Sequence, residues 1–165
     1  MKISNISLIS ILAAMAVTLS VLESMFIPSI IPGAKIGLAN VVTVVAVYLL
    51  SFRNVLGIVI IRTLVSSLFL GTFLSIGYFM SVTGGLASAF VVYILYKYIK
   101  NVTPIFLCII GALVHNITQL VVAYSLIGYG IMYLLPYLLL FAIPAGWCTG
   151  KIASTVIFNL SVVKN

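Results

Sequence analysis

Residues 6–22 read ISLISILAAMAVTLSVL, an uncharged apolar run closed by Glu23. A secretory leader has an apolar core of only ~7–15 residues and precedes a water-soluble chain. This run is longer, and the chain beyond it is equally apolar. It therefore reads as a first membrane-spanning helix, although Met1-Lys2 and the alanines Ala13, Ala14 and Ala16 imitate a leader with its cleavage site.

The rest of the chain has the same character. Hydrophobic residues make up 64% and charged residues 5%, where a soluble domain carries about 25% charged residues, so no water-facing surface can be built from this composition. A spanning helix needs ~20 residues, and the 165 residues hold five or six spans with little outside the membrane. The apolar pattern breaks at Pro28–Ala34, Ser51–Asn54, Gly71–Gly77, Lys97–Pro104 and Ile127–Gly130. The fold class expected is an all-α integral membrane protein of six transmembrane helices in one bundle. It forms a single domain, 1–165, with spans near 5–27, 36–51, 54–71, 76–98, 104–127 and 131–160. The second span is short. The last is long and contains Pro136 and Pro144, which predict a kink or a tilted entry.

Eight Lys and Arg face a single acid, Glu23. The basic residues stand singly between apolar runs, not in the stripe that nucleic acid requires; no nucleic-acid partner is expected, only the lipid bilayer. Alternating the spans collects Lys2, Arg53, Lys97, Lys100 and Lys164 on one side and leaves Lys35 on the other. Under the positive-inside rule the richer side is cytoplasmic, with both termini there. No internal repeat is visible, which argues against a transporter made of inverted halves. Cys108 and Cys148 lie in apolar stretches without metal-ligand spacing and read as small packing residues.

A polar or charged side chain in hydrocarbon is costly, so it usually faces a cavity or a partner. Those that qualify are Glu23, Lys35, Asn40, Arg62, His115, Asn116 and Gln119. They fall at mid-depth or in the half of the bundle away from the basic side, and are the expected substrate-binding residues. His115, Asn116 and Gln119 are spaced to share one helical face; hydrogen bonding between helices is the plainer reading of that stripe. Arg62 could equally pair with Glu23, and Lys35 could snorkel to the interface. If both line a cavity, the positive potential selects a carboxylate, phosphate or sulfonate. Tyr78, Tyr124 and Tyr129 stand where they could close over such a ligand.

The string Pro32-Gly33-Ala34-Lys35-Ile36-Gly37-Leu38-Ala39-Asn40 runs a turn directly into a helix. The N–H groups opening that helix favour an anion, and tight packing is the alternative. Ser10, Ala14 and Thr18 recur at four-residue spacing, a small-residue face suited to packing within the bundle or against another subunit. Gly84-Gly85 and the pair Gly146 and Gly150 give two further helices thin faces for packing.

Catalysis is not expected. There is no Asp and only one Glu, so no carboxylate cluster can hold Mg²⁺, no catalytic triad has its acid, and no phosphate-binding loop is present. No cofactor or metal is expected. Any ATP hydrolysis belongs to another chain.

The order of motifs resembles the Gx transporter family, often described as heptaprenyl diphosphate synthase component I. The matching elements are Glu23, PGAKIGLAN at 32–40, Arg62 followed by Ser66 to Gly71, Thr83-Gly84-Gly85 and the string His115-Asn116-Ile117-Thr118-Gln119, and they span nearly the whole chain. That family is similar to the substrate-binding S components of energy-coupling factor (ECF) transporters. The resemblance implies a binding subunit in a prokaryotic cytoplasmic membrane, for a small anionic or amphipathic vitamin-like or quinone- or isoprenoid-precursor-like molecule. Its implied partners are a transmembrane coupling subunit and two cytosolic ATPases. Ser10, Ala14 and Thr18 stand where family members dock through an alanine-rich surface, although only Ala14 is alanine. The competing expectation is a noncatalytic membrane subunit of a prenyl diphosphate synthase or quinone-related complex. A solitary transporter is weaker still, because few titratable residues remain to couple ions.

Overall fold

The computed structural model describes residues 3–26 and 37–163, which form helices joined by short connections. Helix α1 is Ile3–Phe26, α2 Leu38–Leu49, α3 Phe52–Phe69, α4 Ile76–Tyr98 and α5 Pro104–Ile127. A short 3-10 helix, Tyr129–Leu134, leads into α6, Leu135–Val163. No strand occurs among the described residues, and the chain is a multi-pass helical membrane bundle, as its composition predicts.

Local signals set the helix ends. Ser75 caps α4 by accepting the Tyr78 N–H at 3.3 Å, and Thr103 caps α5 by accepting the Phe106 N–H at 3.3 Å. Pro104 opens α5 where a missing N–H is harmless. Gly128, at φ 107°, ends it. Pro136 falls in the first turn of α6, and only Pro144 lies inside that helix.

Among the described residues five helices are long and apolar enough to cross a membrane; α2 is not one of them. Its 12 residues reach about 18 Å at ~1.5 Å per residue, against a hydrocarbon core of ~30 Å. Every residue from Ala39 to Val47 is buried, the mark of a helix enclosed on all sides. The second expected span is therefore a short central pillar. Around it α1 packs on α3, α3 on α4, α4 on α5 and α5 on α6, while among the described residues α1 and α6 do not meet and α2 lies between them.

Valines 41, 42, 44, 45 and 47 of α2 form the core with Leu12, Val55, Ile58, Val59, Leu107 and Ala153. The outward faces are the reverse of a soluble protein's. Ile11, Phe26, Phe69, Leu140 and Phe158 are each more than half exposed, a surface that lipid covers and water would not.

Glycines bring α5 and α6 together. A β-carbon at Gly146 would lie 2.7 Å from Ile109 Cα, and one at Gly150 would lie 2.6 Å from Ile105 Cα, so the two backbones touch along that line. The expected packing role of this pair is what the structure shows.

The two ends of the bundle differ. At one end the Tyr48 ring packs at a tilt on Tyr96, centroids 4.5 Å apart, and its hydroxyl donates to the Val102 carbonyl at 2.7 Å, tying α2 to the α4–α5 connection. Arg53, Lys97, Lys100 and Lys151 lie at this end, all exposed. Lys151, which sequence reading did not place, follows Gly150 at the level of Ile105, with its ammonium 3.8 Å from the centre of the Trp147 ring. Lys2 and Lys164 lie outside the described residues. The opposite end carries the polar residues.

Candidate functional site

At that opposite end, where α1 finishes, α2 and α4 begin and α3 and α5 approach their last turns, the helices enclose a cavity of about 480 Å³. Glu23, Asn40, Arg62, His115, Asn116 and Gln119 all border it. All six are buried, at 4–9% exposure. They come from four helices and from positions as far apart in the chain as 23 and 119. Lys35 lies outside the described residues. Exposed Thr72 and Gly77 stand at the mouth. Tyr78 borders the cavity; Tyr124 and Tyr129 instead pair edge to face at 6.1 Å on the exposed surface.

Besides bordering the cavity, Glu23 bonds to backbone. Its Oε1 accepts the Gly37 N–H at 2.6 Å and its Oε2 accepts the Leu38 N–H at 3.1 Å. Gly37 precedes α2 in the left-handed region, φ 81°, where a side chain would be strained. The anion favoured by the opening N–H groups of α2 is thus the carboxylate of the protein itself, which caps the helix from α1.

Arg62 is not hydrogen-bonded to that carboxylate. Its Nη1 is buried and has no hydrogen-bond partner among the described residues. A buried guanidinium nitrogen without an acceptor is costly. Its Nη2 lies against α4, where a β-carbon at Gly85 would be 3.0 Å away. The neighbouring Gly84 performs the same service for α5: a β-carbon there would meet Gln119 Cγ at 2.9 Å and His115 O at 3.1 Å. The glycine pair lets Arg62 of α3 and His115 and Gln119 of α5 each lie close against α4, which refines its expected packing role.

On α5 the polar stripe divides its labour. Asn116 donates from Nδ2 to the Leu138 carbonyl of α6 at 3.1 Å, the interhelical bond that the plainer reading foresaw. His115 and Gln119 border the cavity beside Gly84.

Sequence reading missed the hydroxyls. Ser20, Ser24, Thr63, Ser66, Ser67 and Ser81 all line the cavity. Spacing could have found those on α3, because Ser66 lies four residues after Arg62 and Ser67 four after Thr63, each pair on one helix face. Ser66 donates to Arg62 O at 2.6 Å, Thr63 to Val59 O at 2.9 Å and Ser67 to Leu64 O at 2.8 Å.

Among the described residues no group of three or more His, Cys, Asp or Glu could hold a metal ion, and the one carboxylate is occupied by backbone.

A second surface feature lies on α1. Ser10, Ala14 and Thr18 are exposed and, with Ala13, Val17, Ile61 and Val65, line a shallow groove between α1 and α3. Ser10 and Thr18 donate to the carbonyls of Ile6 and Ala14 at 3.0 Å, so their hydroxyl protons are satisfied within the helix and the face is open to close packing.

A family model described as Heptaprenyl diphosphate synthase component I matches residues 12–156 of the chain. Neither a curated protein nor a solved structure matches it.

Proposed function

From the premise that this chain belongs to the heptaprenyl diphosphate synthase component I family, we propose that it is the membrane-embedded substrate-binding subunit of an ECF-type importer. The substrate is a small anionic or amphipathic molecule. The observation that carries this reading is Arg62, a buried cation with an unpartnered nitrogen on the wall of a cavity that amides, an imidazole and hydroxyls also line. Arg62 supplies the charge, and Asn40, His115 and Gln119 orient the ligand. Glu23 and Asn116 hold the walls in place. Lys35 is a further proposed contact.

In this reading the basic end faces the cytoplasm and the cavity faces outward in a prokaryotic cytoplasmic membrane. Energy comes from a transmembrane coupling subunit and two cytosolic ATPases. The exposed face of Ser10, Ala14 and Thr18 is the docking surface for the coupling subunit, because a small-residue face open to lipid permits close approach of another helix.

The family description favours a second reading, a noncatalytic membrane subunit of a prenyl diphosphate synthase. Gentle purification of the tagged protein separates the two. Recovery with ATPases and a coupling protein supports transport; recovery with an Asp-rich soluble synthase supports the alternative and removes the first. Arg62→Ala and His115→Ala should each abolish ligand retention in native mass spectra while the bundle stays folded. Unchanged retention in both would sink the site assignment.

A further inference from the structure

Resting on the binding-subunit reading above, we infer that the ligand is a compact monocarboxylate whose body carries N–H or O–H donors, and not a phosphate or prenyl diphosphate. Charge and proton direction around Arg62 point to it. Two charged side chains border the cavity among the described residues, Glu23 and Arg62. Glu23 acts on Arg62 through its charge but gives its oxygens to two backbone N–H groups, so the cavity is close to neutral while Arg62 Nη1 still lacks an acceptor, a setting that suits one negative charge better than several. A planar carboxylate brings one negative charge and two oxygens in the geometry a guanidinium prefers. A diphosphate brings several charges and only acceptor oxygens.

The wall beside the cation decides between them. Thr63, Ser66 and Ser67 each direct their single hydroxyl proton to a carbonyl of their own helix. A hydroxyl has one proton and two lone pairs, so as these bonds stand the groups turn lone pairs to the cavity, and a ligand acceptor would first have to draw the proton off its carbonyl. Phosphate oxygens placed there would set acceptor against acceptor in a poorly solvated space, where unpaired polar groups are costly. Ring N–H or hydroxyl donors would instead be satisfied. The amides of Asn40 and Gln119 can turn either end to the ligand and so do not oppose this. The cavity, about 480 Å³, lies toward the lower part of the ~300–1,000 Å³ range of small-molecule pockets, which favours a compact body over a long prenyl chain.

The test is calorimetric binding and thermal shift on the full chain in nanodiscs. The probes are pyrrole-, imidazole- and hydroxybenzene-carboxylic acids, the carboxamides of the same rings, benzoate, phenyl phosphate and farnesyl diphosphate. At least one donor-bearing acid should bind, with its carboxamide roughly 10- to 100-fold weaker, the loss expected for a hydrogen bond to a charged group. Arg62→Gln should remove the difference between acid and amide. If that variant does not fold, the acid–amide pair on the unaltered protein decides the charge. Ser66→Ala should weaken the donor-bearing acid several-fold and leave benzoate unchanged. Binding of phenyl phosphate or farnesyl diphosphate with the acids silent would overturn the ligand class while keeping the cavity as a binding site. Silence from every probe would overturn the class and the cavity reading together.

Discussion

The Glu23 carboxylate accepts the backbone N–H of Gly37 at 2.6 Å and so fixes the end of α1 to the start of α2. Glu23 is 4% exposed, and its second oxygen takes the Leu38 N–H. Each bond is charge-assisted, of a kind worth about 1.5–3 kcal/mol. Glu23→Ala should therefore lower thermal stability in detergent by roughly 2–4 kcal/mol, with loss of ligand affinity as a consequence. Glu23→Gln, which keeps one acceptor, should lose about half as much. A variant of normal stability that no longer binds would instead make Glu23 a direct ligand contact.

The glycines make a contrasting set. A β-carbon at Gly84 would crowd Gln119 and the His115 carbonyl, one at Gly150 would reach the Ile105 backbone, and one at Gly57 would meet nothing within 4 Å. Gly84→Ala should cost about 1–3 kcal/mol by overpacking and also reduce binding, because the residues it displaces border the cavity. Gly150→Ala should cost at least as much stability and spare affinity in whatever fraction folds. Gly57→Ala, in a helix interior, should be neutral or stabilising by up to about 1 kcal/mol. Unfolding midpoints and probe affinities measured side by side would check all three.

These contrasts show what could be read from sequence and what could not. The bundle was legible because apolar run length decides a membrane helix, as residues 6–22 do alone. The clustering of Arg62 with His115 and Gln119 was legible because few polar residues interrupt those runs. That the second span is short was legible too; where it begins was not, since its start is held by a carboxylate 14 positions earlier in the chain. The acceptor wall was also hidden: a serine in an apolar helix shows its spacing in the sequence, but the direction of its proton is set only by the folded backbone. For the same reason the sequence does not separate Asn116, which bonds to the Leu138 carbonyl, from its neighbour His115.

Orientation has its own test. Cys108 is buried and Cys148 exposed, so Cys148→Ser provides a background for single-cysteine labelling. In it, Thr72→Cys, at the cavity mouth, should react with a membrane-impermeant maleimide on intact cells. Lys100→Cys, in the connection between α4 and α5, should react only after permeabilisation. The reverse pattern would place the cavity on the cytoplasmic side and rule out uptake from outside.

The last prediction concerns α1, whose two faces do different work. Ala13 and Ala16 are buried in the bundle, at 6% and 0% exposure, while Ser10, Ala14 and Thr18 face outward. A bulky substitution should therefore separate folding from assembly according to which alanine it replaces. Ala16→Leu inserts volume into a closed core and should cost about 1–3 kcal/mol. Ala14→Leu adds the same volume on the lipid side, where the groove with Ile61 and Val65 leaves room, and should leave unfolding temperature and probe affinity unchanged. If α1 is the docking face, Ala14→Leu should nevertheless abolish recovery of the coupling subunit and its ATPases and stop uptake in cells, because a small-residue helix contact depends on close backbone approach. Full co-purification and normal uptake with Ala14→Leu would move the docking surface off this face, and the ligand site at the other side of α1 would stand unaffected.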